Sequence, residues 1–181
     1  MRFTIILSFI LITFSSVYSQ NIFSLSKTVR IENVKKKKLY KELNNWFYNQ
    51  NNFSNIIDNN DDKLIAEGFT IYKNPVKYEN SSNLSRVYAQ QTEGKLKFKI
   101  EISIKDNEYS INLTRIKHVP DNQWDNINFG IITTDITAPK AIIEEVGEKW
   151  SNDVWVDIKS QITKKFDDIV STLPVNLTSL N

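Results

Sequence analysis

The sequence predicts an α+β domain: an antiparallel sheet with two helices packed on one of its faces, in the order β-α-β(4)-α. Three observations lead there. Between Lys95 and Lys105, the apolar residues Leu96, Phe98, Ile100, Ile102 and Ile104 alternate with Lys95, Lys97, Lys99, Glu101, Ser103 and Lys105. Period two over that length marks a strand with one dry face and one wet face. Leu39, Tyr40, Leu43, Trp46 and Phe47 fall on a single stripe of a helix. Trp150, Val154, Trp155, Ile158, Ile162, Phe166, Ile169 and Leu173 keep helical spacing over about six turns. Two amphipathic helices and a half-buried sheet bury one another's apolar surface when both helices cover the same sheet face.

Taken in order, residues 22–31 (Ile22, Phe23, Leu25, Val29, Ile31) read as a first strand and residues 36–50 as the first helix. The run Lys35 to Lys38 opens that helix, where positive charge meets the positive end of the helix dipole and needs a helper. An anion or lipid-headgroup site is one reading of the run; a solvated first turn is the better supported one. Ile56 and Ile57 suggest a short strand, and residues 63–72 a longer one. Between them, Asp58-Asn-Asn-Asp-Asp62 resembles the start of a calcium loop. A calcium loop needs a glycine where this chain has Lys63 and a glutamate where it has Phe69, so a hairpin turn fits better.

Residues 73–85 form a polar connection, and residues 86–91 are expected as a strand beside the hairpin, with Gly94 in the turn. Asp106-Asn107 turns the chain back, and Tyr109, Ile111 and Leu113 continue the alternation. Residues 120–135 are irregular, with Trp124 and Phe129 as expected plugs, and residues 140–148 suggest a short helix. Ser151 or Asn152 is the expected cap of the last helix, Pro174 ends it, and residues 174–181 form a loose tail.

Residues 1–19 read as a cleavable signal peptide. Arg2 supplies the positive start, residues 3–14 (FTIILSFILITF) the apolar run, and Val17 and Ser19 the small residues flanking a cut before Gln20. The run is well short of the roughly 20 residues a membrane-spanning helix needs. An exported chain without a transmembrane anchor after cleavage, periplasmic or secreted, is therefore expected. One α+β domain would fill residues 20–173.

Arg2 is the only charge in the signal, so 22 of the 23 basic residues remain against 21 acidic ones, a net charge of +1. That balance gives little overall pull toward nucleic acid. The chain has no cysteine, so packing must supply its stability.

Catalytic motifs are scarce. His118 is the only histidine, and no G-x-S-x-G, P-loop, H-E-x-x-H or dinucleotide fingerprint occurs. Glu144-Glu145 and Asp167-Asp168 are adjacent on helices and point about 100° apart, so neither converges as an acid–base pair. No catalytic residue, metal ligand or cofactor is expected.

Two surfaces remain. The wet sheet face, carrying Lys97, Lys99, Glu101, Lys105, Asn112 and Thr114, is a platform for an unidentified protein partner or a second copy of the chain. Without a charge bias or exposed aromatics, it is a poor nucleic-acid surface. An apolar pocket between the sheet and the last helix, lined by Trp150, Trp155 and Phe166, would make the chain a carrier of a small apolar ligand. Against that stands the simpler reading that these aromatics fill the core.

Three segments carry a family resemblance: LYKELNNWF at residues 39–47, DDKLIAEGF at residues 61–69, and the hairpin KFKIEISIKDNEYSINLTRIKH ending at His118. In order and spacing, residues 29–119 resemble DUF4468, a domain of unknown function with a TBP-like fold found in exported Bacteroidetes proteins. The resemblance implies that fold and an exported location. It carries over no activity, so a non-catalytic binding module is the leading expectation, the carrier the alternative and a hydrolase a distant third.

Overall fold

A computed structural model describes residues 21–51, 53–59, 62–75, 83–121 and 126–174. The signal segment, Trp124 and the tail beyond Pro174 lie outside the described residues. In chain order the elements are β1 (Leu25–Arg30), α1 (Lys36–Tyr48), β2 (Phe53–Asn59), β3 (Lys63–Tyr72), α2 (Asn83–Thr92), β4 (Gly94–Lys105), β5 (Glu108–Pro120), α3 (Lys140–Val146) and α4 (Glu148–Thr172). The strands form one antiparallel sheet in the order β1-β5-β4-β3-β2. The chain leaves one edge at β1 and re-enters at the opposite edge as β2, so α1 crosses the sheet.

The alternation in β4 does what its period requires. Leu96, Phe98, Ile100, Ile102 and Ile104 are buried together with Leu64, Ala66 and Tyr72 of β3 and Tyr109, Ile111 and Leu113 of β5. Leu39, Leu43 and Phe47 of α1 and Trp155, Ile158 and Ile162 of α4 close over that same face. Trp46 ties the two helices together by donating its Nε1–H to Thr172 Oγ1 at 3.3 Å.

Three expectations change. Residues 86–91 are not a strand but the second half of α2. β3 and β4 pair directly, from Lys63 with Ser103 to Tyr72 with Gly94, which leaves no slot between them for another strand. Instead α2 packs Tyr88 edge-on against Trp150 with centroids 5.7 Å apart. The helix count is therefore four among the described residues: the two that the stripes predicted, the short helix expected at residues 140–148, and α2.

The start of α4 also differs. Gly147, at φ 92°, precedes the helix, and Trp150 and Ser151 already lie inside it. Ser151 Oγ turns back to the carbonyls of Gly147 (2.8 Å) and Glu148 (3.0 Å). Asn152 Oδ1 accepts from Ala138 N at 2.8 Å, tying down the loop before α3 rather than capping α4.

The lysine run at α1 has its helper. Asp106, in the β4–β5 turn, accepts from Lys36 N at 2.7 Å and lies 3.8 Å from Lys35 Nζ. Asp62 pairs with the Lys36 ammonium. Asn107, in the left-handed region at φ 61°, accepts from Val34 N through its side chain at 2.9 Å. Two carboxylates from neighbouring turns thus complement the helix dipole and the lysines together.

Candidate functional site

The second face of the sheet is lined by residues that alternate with the core set, and it divides into two ends. At the β4–β5 turn the charges match. Lys63 Nζ lies 2.6 Å from Glu101 Oε1, and Lys99 Nζ lies 3.7 Å from the other oxygen of the same carboxylate. Arg30 on β1 reaches Glu108 at 3.3 Å, and Glu108 stands opposite Lys105 across the ladder. Asn112 faces Glu101 on one side and Ser26 on the other, giving a polar stripe across three strands.

At the far end the pattern inverts. Lys97 and Lys117 stand directly opposite each other. Like charges in that position are destabilising. Between Lys97 and Lys99 the register slips by one: Lys97 pairs with Lys117 but Lys99 pairs with Thr114, so Arg115 and Ile116 together oppose Phe98. This is a β-bulge, and Arg115 occupies it at φ 52°. A left-handed conformation costs a residue with a Cβ roughly 1–2 kcal/mol.

The bulge places two consecutive residues, Thr114 and Arg115, off the core, and then returns Ile116 and His118 to it. Arg115 joins Lys95, Lys97, Lys99 and Lys117 around a cavity of about 440 Å³, whose wall also contains Ser54, Glu67, Gly68, Phe69 and Phe98. Five basic side chains and one carboxylate surround that space. Lys95 Nζ lies 5.1 Å from the centre of the Phe69 ring, in cation–π contact. Among the described residues, Lys97, Arg115 and Lys117 have no carboxylate within salt-bridge distance. Gly68 lies in the wall with its free side toward the core, where a Cβ would meet the Phe98 ring at 2.5 Å.

The sequence reading thus identifies the face through Lys97, Lys99, Glu101, Lys105, Asn112 and Thr114. It does not identify Lys95, Arg115 and Lys117 as companions of Lys97. It also treats the face as free of charge bias, whereas the bulge end carries a concentrated positive one. A break in alternation was visible, since Leu113 and Ile116 are three apart where strict period two would separate them by an even number.

His118 sits at the end of β5, fully buried. Its Nε2 lies 2.8 Å from the Thr92 carbonyl oxygen and so carries the proton, while Nδ1 accepts from Phe129 N at 3.2 Å. Burial lowers its pKa, the Thr92 contact opposing in part, and the ring is held neutral. Both nitrogens are engaged by backbone, which joins α2, β5 and the segment before α3. Neighbouring Tyr72 stands edge-on to it at 5.5 Å. Burial, reinforced by the facing Asp157 carboxylate, pushes the Tyr72 hydroxyl far up without a well-formed hydrogen bond between the two. Asp157 is itself raised by burial, although Gln161 donates to it at 2.8 Å.

Trp150, Trp155 and Phe166 are all buried in the core. Trp155 stacks on Phe129 with centroids 6.0 Å apart and donates its Nε1–H to Asp135 O at 2.9 Å. Four cavities formed by described residues contain none of these three aromatics, nor His118, in their walls. No group of three or more His, Asp or Glu among the described residues is arranged to hold a metal ion.

A family model described as a domain of unknown function (DUF4468) with TBP-like fold matches residues 26–119. Among solved structures, the chain is similar to a TBP-like protein from Parabacteroides distasonis ATCC 8503. The identity is 17% and the TM-score 0.47, over 80% of this chain and 90% of that one. It is similar also to a DUF4468 family protein from Bacteroides ovatus ATCC 8483, with 12% identity and a TM-score of 0.43 over 86% and 89% of the two chains. No curated protein matches the chain. With the five-stranded sheet, its helices and a family match that spans just over half the residues, this chain belongs to the DUF4468 family.

Proposed function

We propose that this chain is an exported, non-catalytic binding module that engages its partner through the open face of the sheet. The observation that carries the reading is the division of the sheet into a face closed by α1 and α4 and a face whose polar and charged side chains lie outside the core. The positive Arg2, the apolar run and the small-residue cut site of residues 1–19 support export. No helix among the described residues is long and apolar enough to cross a membrane. His118, with both ring nitrogens bonded to backbone, offers no proton to a reaction.

The absence of cysteine makes the test clean, because any introduced thiol is unique. A photo-crosslinker attached at Thr114→Cys, on the open face, is compared in the native host with one at Val156→Cys, which is exposed on the outer side of α4. Cross-linked species specific to the Thr114 position support the reading. Cross-links from Val156 alone, or none from either, would sink it. Native mass spectrometry of the cross-linked fraction then separates a second copy of the chain from a different protein.

A further inference from the structure

We infer that the bulge end of the open face is a binding site for a small oxyanion of the phosphate or sulfate class. The inference rests on the open-face reading above and specifies its ligand. Several features distinguish this cluster from an ordinary solvated surface. The whole chain carries a net charge of only +2, yet the ten residues lining this one cavity carry five basic groups and one acidic group. Elsewhere on the face basic groups are matched with carboxylates, at Lys63–Glu101 and Arg30–Glu108, and Lys99, at the border of the cavity, shares that same Glu101. Among the described residues, only here do two lysines oppose each other across the ladder.

The backbone works toward the same end. Arg115 adopts a left-handed conformation, and the bulge it forms places it in the wall of the same cavity as the Lys97–Lys117 pair. Strained bulges of this kind re-aim side chains, and glycine would occupy the position without strain. An oxyanion between Lys97, Arg115 and Lys117 would convert a repulsive cross-strand pair into a shared clamp. Arginine's planar fork suits two oxygens of one phosphate or sulfate group, and lysines act on the remaining charge. The cavity, at about 440 Å³, falls within the range of small-molecule sites. Phe69 lies in its wall, and the exposed Ile71 stands opposite Lys95 across the strands, so an ester with an apolar or sugar portion has a surface to lie on.

The test is a titration of the full-length, isotope-labelled chain with inorganic tripolyphosphate at fixed ionic strength, read by amide chemical shifts. In parallel, sedimentation is measured with vesicles of phosphatidylglycerol in phosphatidylcholine and with phosphatidylcholine alone. Shifts centred on Lys97, Arg115 and Lys117, with affinity reduced at least tenfold in Lys117→Gln and in Arg115→Gly but kept in Lys63→Gln, establish a free oxyanion as the ligand class. Vesicle binding that needs phosphatidylglycerol and the same two residues, with no tripolyphosphate response, assigns the same chemistry to a lipid headgroup. Binding equal in wild type and both variants, shifts confined to Lys35–Lys38, or no binding to either probe overturns the proposal. So does tighter binding per phosphate to an oligothymidylate, which would indicate an extended nucleic-acid backbone instead. If the oxyanion fails while Thr114 cross-links persist, the open face stands with a different partner; loss of both removes the open-face reading itself.

Discussion

The two ends of the β4–β5 hairpin are built from the same residue types and reach opposite electrostatic solutions. At the turn, Asp106 and Asn107 satisfy the start of α1, and each lysine on the open face has an acidic neighbour. At the bulge, Lys97 opposes Lys117, and Arg115 accepts an unfavourable backbone conformation beside them. The turn end resembles a surface shaped by stability alone. The bulge end gives up stability locally, and such departures from local consistency are where function is to be sought.

The largest expected effect tests whether the bulge end depends on its tight strand pairing. A Cβ on Gly94 would meet the Val119 carbonyl oxygen at 2.3 Å and the Pro120 Cα at 2.6 Å, both backbone atoms unable to move aside. Gly94→Ala is expected to cost about 3 kcal/mol in urea unfolding, and a loss below 1 kcal/mol would show that this end is loosely held.

Next is His118, which anchors the bulge end to α2. Replacing it by Ala leaves the Thr92 carbonyl and the Phe129 amide without their partner, and about 2 kcal/mol is expected to be lost. Its pH dependence has a definite sign. The folded pKa lies below the unfolded value, so the histidine's contribution is complete above the unfolded pKa of about 6.5 and falls as pH drops toward the folded value. Asp157, raised by burial, works in the opposite sense, its contribution falling as pH rises through its own window. The difference between wild type and His118→Phe across pH 7 to 5 isolates the histidine, and identical pH profiles would contradict the burial argument.

Arg115→Gly sharpens the contrast directly. Relief of the left-handed strain is expected to raise stability by about 1 kcal/mol while weakening oxyanion binding. A variant that loses stability would mean that the guanidinium is structural. Lys117→Glu would make the bulge end imitate the turn end, with a Lys–Glu pair across the strands. It is expected to gain a few tenths of a kcal/mol and to abolish anion binding. Smallest is Glu101→Gln at the turn end, where losing two surface ion pairs should cost under about 1 kcal/mol and vanish in high salt.

Much of the architecture could be read from periodicity. The β4 alternation, the α1 stripe and the α4 stripe each contain enough residues for the period to outweigh exceptions, and the bounds of β3 at 63 and 72 coincide with the expected ones. α2 was hidden because its ten residues include few apolar ones, and its place is decided by Tyr88 meeting Trp150, far along the chain. Ser151 and Asn152 looked like caps, yet their hydrogen bonds go elsewhere because α3 runs into α4 with only Gly147 between them.

By itself the sequence determined the α+β class, the inward faces of β4, the first half of β5 and both main helices, and the open face through Lys97, Lys99, Glu101, Lys105, Asn112 and Thr114. Those features follow from local geometry, since side-chain direction repeats every 2 residues in a strand and every 3.6 in a helix. Only the tertiary structure decided that Arg115 and Lys117 stand beside Lys97, and that His118 is enclosed rather than available. Both depend on one extra residue in β5 opposite Phe98. A bulge is a mismatch in count between two paired strands, so β5 alone shows the break between Leu113 and Ile116 but not which side chains of the partner strand it brings together.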